Sequence, residues 1–203
     1  MSRAIVTLAV GPHVDLLAIA LPSFREFADR HDYELIIADV DSRRPPSWRK
    51  IPALKAALDL HDEVLWIDAD TVIIDPSEDL EVPGDAWQAM VAHHTNDGEV
   101  PNCGVWLVRQ PMQEILSTVW TTTAHLNHPW WEQRVVVELM GYGGFPLTPV
   151  MPSELRERTH FLDAGWNVHR DDRVRSDRSR IGHATMAPDV AGQMREWASL
   201  VTA

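Results

Sequence analysis

The chain has 203 residues, 45% of them hydrophobic and 24% charged, with a formal net charge of −12. That length suits one domain with a sizeable core spanning 1–203, and so acidic a balance excludes tracking along a phosphate backbone, so nucleic acid is not an expected partner. The single cysteine, Cys103, excludes an intrachain disulfide and fits a reducing compartment. The apolar run in the opening MSRAIVTLAVGP is too short for a signal peptide, and no stretch approaches the roughly 18 apolar residues of a membrane span. A cytoplasmic protein is expected.

Residues 3–10 form a short apolar run ending at Gly11-Pro12, which predicts a buried strand and a turn. Val14, Leu17, Leu21, Phe24 and Phe27 then recur at helical spacing, with Pro22 expected to kink or break that helix. YELIIADVD (33–41) predicts a second strand. Ser47 to His61 predicts a second helix, with Leu54, Ala57 and Leu58 on one face and Pro52 in its first turn. EVLWIDADTVII (63–74) predicts a third strand. This alternation implies parallel strands with helices on their faces.

Beyond it, AWQAMVAHH (86–94) and CGVWLVR (103–109) read as strands with a loop between. Pro111 opens a helix that turns Met112, Ile115, Leu116, Val119 and Trp120 inward, and Pro129 to Met140 predicts another, stopped at Gly141. GYGGFPLTPVMP reads as a loop with one short strand, and HRDDRVRSDRSR (169–180) as a mobile, charged surface loop. A terminal amphipathic helix over 188–201 runs through Val190, Met194, Trp197 and Val201. Trp106, Trp120 and Trp197 fit core patterns, whereas Trp130, Trp131 and Trp166 are candidates for stacking against a sugar.

The chemistry concentrates in VLWIDADTVII. Asp68 and Asp70, at i and i+2 of an extended segment, present two carboxylates to one side. Bare, they repel, and burial worsens the repulsion. A shared proton or a hard divalent ion such as Mn²⁺ or Mg²⁺ relieves it. A D-x-D also caps turns, but the long apolar lead-in makes a buried charge pair costly without such a purpose. Arg49 and Lys50 stand at a helix N-terminus, where a bound anion would offset their opposition to the helix dipole. Asn102 and Gly104 open an apolar strand, one offering amide hydrogen bonds and the other close backbone approach. His183, after the charged loop, can supply a nitrogen ligand.

Taken together, these segments resemble a GT-A glycosyltransferase of the galactosyl/mannosyltransferase (GT34-like) type. FADRHDYELIIAD (27–39), WRKIPALKAAL (48–58), VLWIDADTVIID (64–75), PNCGVWLVR (101–109) and the late Gly-His at 182–183 occur in that family's order, and the likeness spans about residues 3–185. It implies an α/β, Rossmann-like nucleotide-diphospho-sugar transferase fold with a mostly parallel central sheet flanked by helices. It also implies Mn²⁺ or Mg²⁺ on Asp68, Asp70 and His183. A nucleotide-sugar donor, UDP-sugar favoured, would lie along Val10, Gly11, Asp39, Lys50, Asp68 and Gly104. Lys50, Asn102, Glu132 and Gln133 would act at the transferred sugar, Glu132 being one methylene longer than the Asp of relatives, and Trp166-Asn167 resembles the family's Trp-Asn. The resemblance further implies transfer to an acceptor hydroxyl under retention, with a small molecule or glycan expected as acceptor. Two other readings remain at this point: a haloacid-dehalogenase-type phosphatase with Asp68 as nucleophile, and a non-catalytic nucleotide-sugar-binding protein.

Overall fold

Through the first 75 residues apolar runs alternate with helical periodicities, and in the computed structural model they become a βαβαβ unit. Residues 1–169, 178–185 and 187–201 are described; most of the charged loop expected over 169–180 lies outside them. Strand β1 (Arg3–Thr7) leads to helix α1 (His13–His31), then β2 (Glu34–Ile37), a 3-10 turn at Pro46–Arg49, α2 (Lys50–Leu58) and β3 (Glu63–Ile67). β1 pairs in parallel with both β2 and β3.

The short β4 (Thr71–Ile73) follows, then β5 (Gln88–Thr95) and the long β6 (Gly98–Arg109). Helices α3 (Met112–Thr121) and α4 (Trp131–Leu139), the two-residue strands β7 (Tyr142–Gly143) and β8 (Thr148–Pro149), the short α5 (Glu154–Glu157), β9 (Thr159–Phe161), β10 (Ile181–His183) and α6 (Val190–Ala198) complete the order. Six strands form one sheet in the order β2-β1-β3-β6-β5-β9. Three of its five pairings are parallel, and β6 runs antiparallel to both its neighbours.

The unbroken apolar run of β3 is explained by cover on both faces. Its alternate residues Val64 and Trp66 join the core with Trp48, Leu54, Trp106, Leu116 and Val136. Leu65 and Ile67 join the opposite core with Phe24, Phe27 and Met194. Each such side chain, fully buried, contributes roughly 1.5–3 kcal/mol.

Several elements differ from expectation. Helix α1 continues through Pro22. The carbonyl that the proline ring leaves without a donor is that of Ala18, on the exposed side, where water can reach it. The strand expected over 63–74 stops at Ile67, and the chain turns at residues 69–70 before resuming as β4. The helix expected over 47–61 starts as a 3-10 turn, which makes Lys50 the first α-helical residue. β6 begins at Gly98, five residues earlier than expected, and bulges: Met90 faces Trp106, but Val91 faces Asn102. The segment 142–149 holds two short strands paired with each other. No described helix is long and apolar enough to cross a membrane.

Candidate active site

A cavity of about 1170 Å³ opens beyond the carboxyl ends of β1 and β3, where open α/β sheets bind ligands. At its floor Asp68 and Asp70 are held by their backbones. The Asp68 N–H donates to the Gly104 carbonyl at 2.8 Å. The Asp68 carbonyl accepts from the Thr71 hydroxyl at 2.8 Å, and the Asp70 carbonyl accepts from the Ala184 N–H at 2.9 Å. Antiparallel pairing of β10 with β4 sets His183 opposite Thr71, one residue beyond Asp70. One ligand atom from each of Asp68, Asp70 and His183 lies within 4.8 Å of the others. The convergence comes from the turn and the β10 pairing, not from strand alternation as the i, i+2 spacing implied.

Two carboxylate oxygens and one imidazole nitrogen suit a divalent ion of the Mn²⁺ kind. Nε2 of His183 lies 3.3 Å from Asp70 Oδ1 and 3.9 Å from Asp68 Oδ2. Burial alone would raise the Asp70 pKa, but His183 pulls harder and holds it below the usual carboxylate range. Burial likewise lowers that of His183, and Asp70, with Asp68 behind it, more than offsets this, leaving it above the ordinary histidine value.

Lys50 is almost fully buried, and the structure commits all three of its ammonium hydrogens. Nζ lies 3.1 Å from Asp68 Oδ1, 3.1 Å from Glu132 Oε1 and 2.9 Å from the Cys103 carbonyl. Burial depresses its pKa, yet Asp68 and Glu132 outweigh the penalty and hold it above the ordinary lysine range. The ammonium can therefore reach a diphosphate only by releasing one of these partners. Glu132 is also buried, and its second oxygen has no hydrogen-bond partner; burial raises its pKa, which Lys50 only partly counters. Gln133 Oε1 accepts from the Cys103 N–H at 3.2 Å, tying α4 to the β6 bulge.

Val10 and Gly11 line the cavity at the end of β1, beside Pro12 and His13. Gly11 has φ +57°, a conformation natural to glycine. Asn102 lines it too. Gly104 sits behind His183: a Cβ there would come 2.3 Å from His183 Cε1. Asp39 is not brought to the cavity. Ala38 still bonds the β1 edge through the Thr7 carbonyl and packs toward the core, so the following Asp39 turns outward and is exposed.

Of the candidate stacking tryptophans, Trp130 and Trp131 line the cavity, and Trp131 holds a left-handed φ of +44°. Trp166 is instead buried under the Arg180 guanidinium, 5.0 Å from its ring centroid, and lies outside this cavity.

Sequence reasoning overlooked Trp66, His93 and His169 as site residues. The Trp66 indole N–H donates to Asp68 Oδ1 at 2.6 Å; its place two residues before the first aspartate was the available signal. His169 Nε2 stands 2.9 Å from His183 Nδ1, and its ring stacks on His93 at 3.8 Å. The spacing Asn167-Val168-His169 was the signal there, since an extended N-x-H puts both side chains on one face.

The model of the galactosyl transferase GMA12/MNN10 family matches residues 13–83. Compared by sequence with curated proteins, the chain matches none. Among solved structures it is similar to a glycosyltransferase involved in the glycosylation of the major capsid of PBCV-1, with TM-score 0.69 and 16% identity, covering 97% of this chain and 99% of that one. It is also similar to the glycosyltransferase GlyE of Streptococcus pneumoniae, with TM-score 0.66, 14% identity and coverage of 98% and 60%. The bifunctional glycosyltransferase WbbM matches with TM-score 0.58, 13% identity and coverage of 98% and 50%. This chain thus spans nearly all of the first and between half and two thirds of the other two. Identities this low establish a common fold, GT-A. The family-model match and the shared fold together support glycosyltransferase activity.

Proposed function

With a GT-A fold and a match to the galactosyl transferase GMA12/MNN10 family model as premises, we propose that the protein moves a hexosyl group from a nucleotide-diphosphate sugar to an acceptor hydroxyl. A UDP-sugar is the favoured donor, and a divalent cation held by Asp68, Asp70 and His183 is required. The observation that carries this reading is the meeting of three ligand atoms within 4.8 Å in a cavity of about 1170 Å³. Cavities of roughly 300–1,000 Å³ already enclose one drug-sized ligand.

A bound divalent cation would offset the charge that gathers on the leaving diphosphate. The chain's own residues do the rest. Val10 and Gly11 form the wall against which base and ribose lie. Lys50 holds the Asp68 and Glu132 carboxylates in place, so that the ligand oxygens are set before the donor arrives. Glu132, whose buried second oxygen must first be uncovered, would accept a hydrogen bond from a hydroxyl of the transferred sugar, and Gln133 fixes α4 for that contact. The bond from the anomeric carbon to the diphosphate oxygen breaks and its electron pair leaves with the diphosphate. The acceptor oxygen bonds to the anomeric carbon and gives up its proton to the leaving group, with retention of configuration as the family resemblance implies. The acceptor, a small molecule or glycan, enters past Trp130 and Trp131.

A thermal-shift panel of UDP-, GDP-, ADP- and dTDP-sugars with and without Mn²⁺ tests this directly. Stabilisation that needs both the metal and one nucleotide, and that Asp70→Ala removes, is the expected outcome. An unchanged shift in Asp70→Ala would overturn the cation site. Binding of the donor with no hydrolysis or transfer under any acceptor would favour a non-catalytic binding protein.

A further inference from the structure

We propose that Asn167, oriented by Asn102, is a positioning residue that holds the His183 ring with its Nδ1 hydrogen-bonded and its Nε2 bare toward Asp68 and Asp70. This deepens the cation site proposed above and rests on it.

The inference follows a chain of donors and acceptors that begins at the backbone. The Gly104 N–H donates to Asn102 at 2.7 Å. A peptide N–H can only donate, so the Asn102 atom it meets is the amide oxygen. The same oxygen meets the Asn167 side chain at 2.9 Å and must accept again, which turns the Asn167 nitrogen toward Asn102. The other end of that amide, Oδ1, then faces His183 Nδ1 at 3.0 Å. An amide oxygen can only accept, so the proton of the neutral imidazole sits on Nδ1. Nε2 is left as a lone pair 3.3 Å from an Asp70 oxygen. Two lone pairs at that distance repel, so the Nδ1 bond to Asn167 holds this form against the Asp70 carboxylate, and a bound cation, or a proton on Nε2 when the ring is charged, would relieve it.

The backbone keeps this chain in register. Residues 167–169 run beside β10: the Val168 N–H donates to the Ile181 carbonyl at 2.8 Å, and the His183 N–H donates to the Val168 carbonyl at 3.0 Å. Asn167 is fully buried. Gly104 leaves the ring the room that a side chain there would take. His169 competes for the same nitrogen, with Nε2 at 2.9 Å from His183 Nδ1. Were it to donate, Nδ1 would have to be bare and the Asn167 oxygen would face a lone pair. In the arrangement proposed His169 accepts, sharing the Nδ1 proton with Asn167. Asn102, expected at the donor sugar, thus acts through Asn167.

The test reads the His183 tautomer by nitrogen-15 NMR in the metal-free full chain, at alkaline pH where the ring is neutral, and Mn²⁺ affinity separately by titration. The parent is expected to show the Nδ1–H form. Asn167→Leu is expected to shift the ring to Nε2–H and to lower Mn²⁺ affinity by about 10–100-fold. Asn167→Asp, which loses the donor to Asn102 but can still accept from Nδ1, is expected to keep the parental tautomer; a merely structural role would not separate the two variants in this way. If Asn167→Leu does not fold, Asn102→Ala serves in its place with the same expected shift. An Nε2–H parent, a folded Asn167→Leu with parental tautomer and affinity, or a tautomer governed by His169→Gln instead, would overturn the proposal. A parent that keeps the Nδ1–H form yet binds no Mn²⁺ would overturn the cation site and leave this chain of bonds without its purpose.

Discussion

Replacing Lys50 by methionine separates two roles that its sequence position leaves joined. Methionine keeps most of the length and none of the charge, so Lys50→Met leaves Asp68 Oδ1, Glu132 Oε1 and the Cys103 carbonyl without their shared donor. Breaking a buried ion pair from one side costs about 3–5 kcal/mol. Asp68 has a side chain 27% exposed and can turn to water, whereas Glu132 at 4% cannot, so the cost falls mainly on Glu132 and near the lower bound. At about 2–4 °C per kcal/mol for a chain of this size, the melting temperature should drop by roughly 6–12 °C. Adding Glu132→Gln removes the stranded charge, and the double variant should recover more than half of the loss, a coupling readable in a thermal double-mutant cycle. In Lys50→Met alone, Glu132 loses the cation that counters its burial, so its pKa climbs further above the unfolded value. A raised carboxyl pKa favours the folded state at low pH and loses that contribution as pH rises through it, so the deficit should shrink on acidification. A Lys50→Met variant that melts with the parent while its donor KM rises tenfold would refute the counter-ion role and restore the direct diphosphate contact.

Three other outcomes follow from the geometry. Gly104→Ala puts a methyl 2.3 Å from His183 Cε1 and 2.8 Å from Asn102 Oδ1; denaturant unfolding should show a loss of about 1–3 kcal/mol, and calorimetric titration a weakened Mn²⁺ site. Because Asp70 holds the His183 pKa above its ordinary value and a ligating imidazole must be neutral, protons compete with the metal from that raised pKa downward; Mn²⁺ affinity should fall by about tenfold per pH unit below it. Trp131→Ala removes a half-exposed ring from the cavity wall; steady-state kinetics should show a raised KM for a glycan acceptor, with the rate of donor hydrolysis kept.

The βαβαβ start was legible because β3 is apolar on both faces and α1 and α2 keep a helical period. The match to a family model falls on this part, residues 13–83. The aspartate pair was legible for the opposite reason, as charge where the pattern demanded none. The mostly parallel sheet was legible as well, but the place of β6 within it was not. A local pattern does not say that a strand will lie antiparallel between β3 and β5, or that it will bulge where Met90 faces Trp106 and Val91 faces Asn102. Lys50 was visible as a cation at a helix start, but its partners come from 18, 53 and 82 residues away, and nothing in its neighbourhood names them. Asp39 looked equivalent to its neighbours in an extended run, and only the β1 contact through Ala38 decides that it turns out.

The bulge in β6 joins these parts. By pulling Cys103 to Val105 out of register with β5, it brings the Cys103 carbonyl to Lys50 and the Gly104 carbonyl to the Asp68 N–H, while the Gly104 N–H meets Asn102. One irregular stretch of backbone thereby supports the ammonium, the first aspartate and the amides that lead to His183. With His183 neutral and the carboxyls ionised, Asp68, Asp70 and Glu132 against Lys50 leave a net charge of −2 beside the cavity. A diphosphate would be repelled by that charge, and more strongly in the low dielectric of a partly buried site. A divalent cation cancels it. The same excess of carboxylate that makes the pair costly in an apolar strand therefore makes donor binding conditional on the metal, and by linkage each should tighten the other by the same factor.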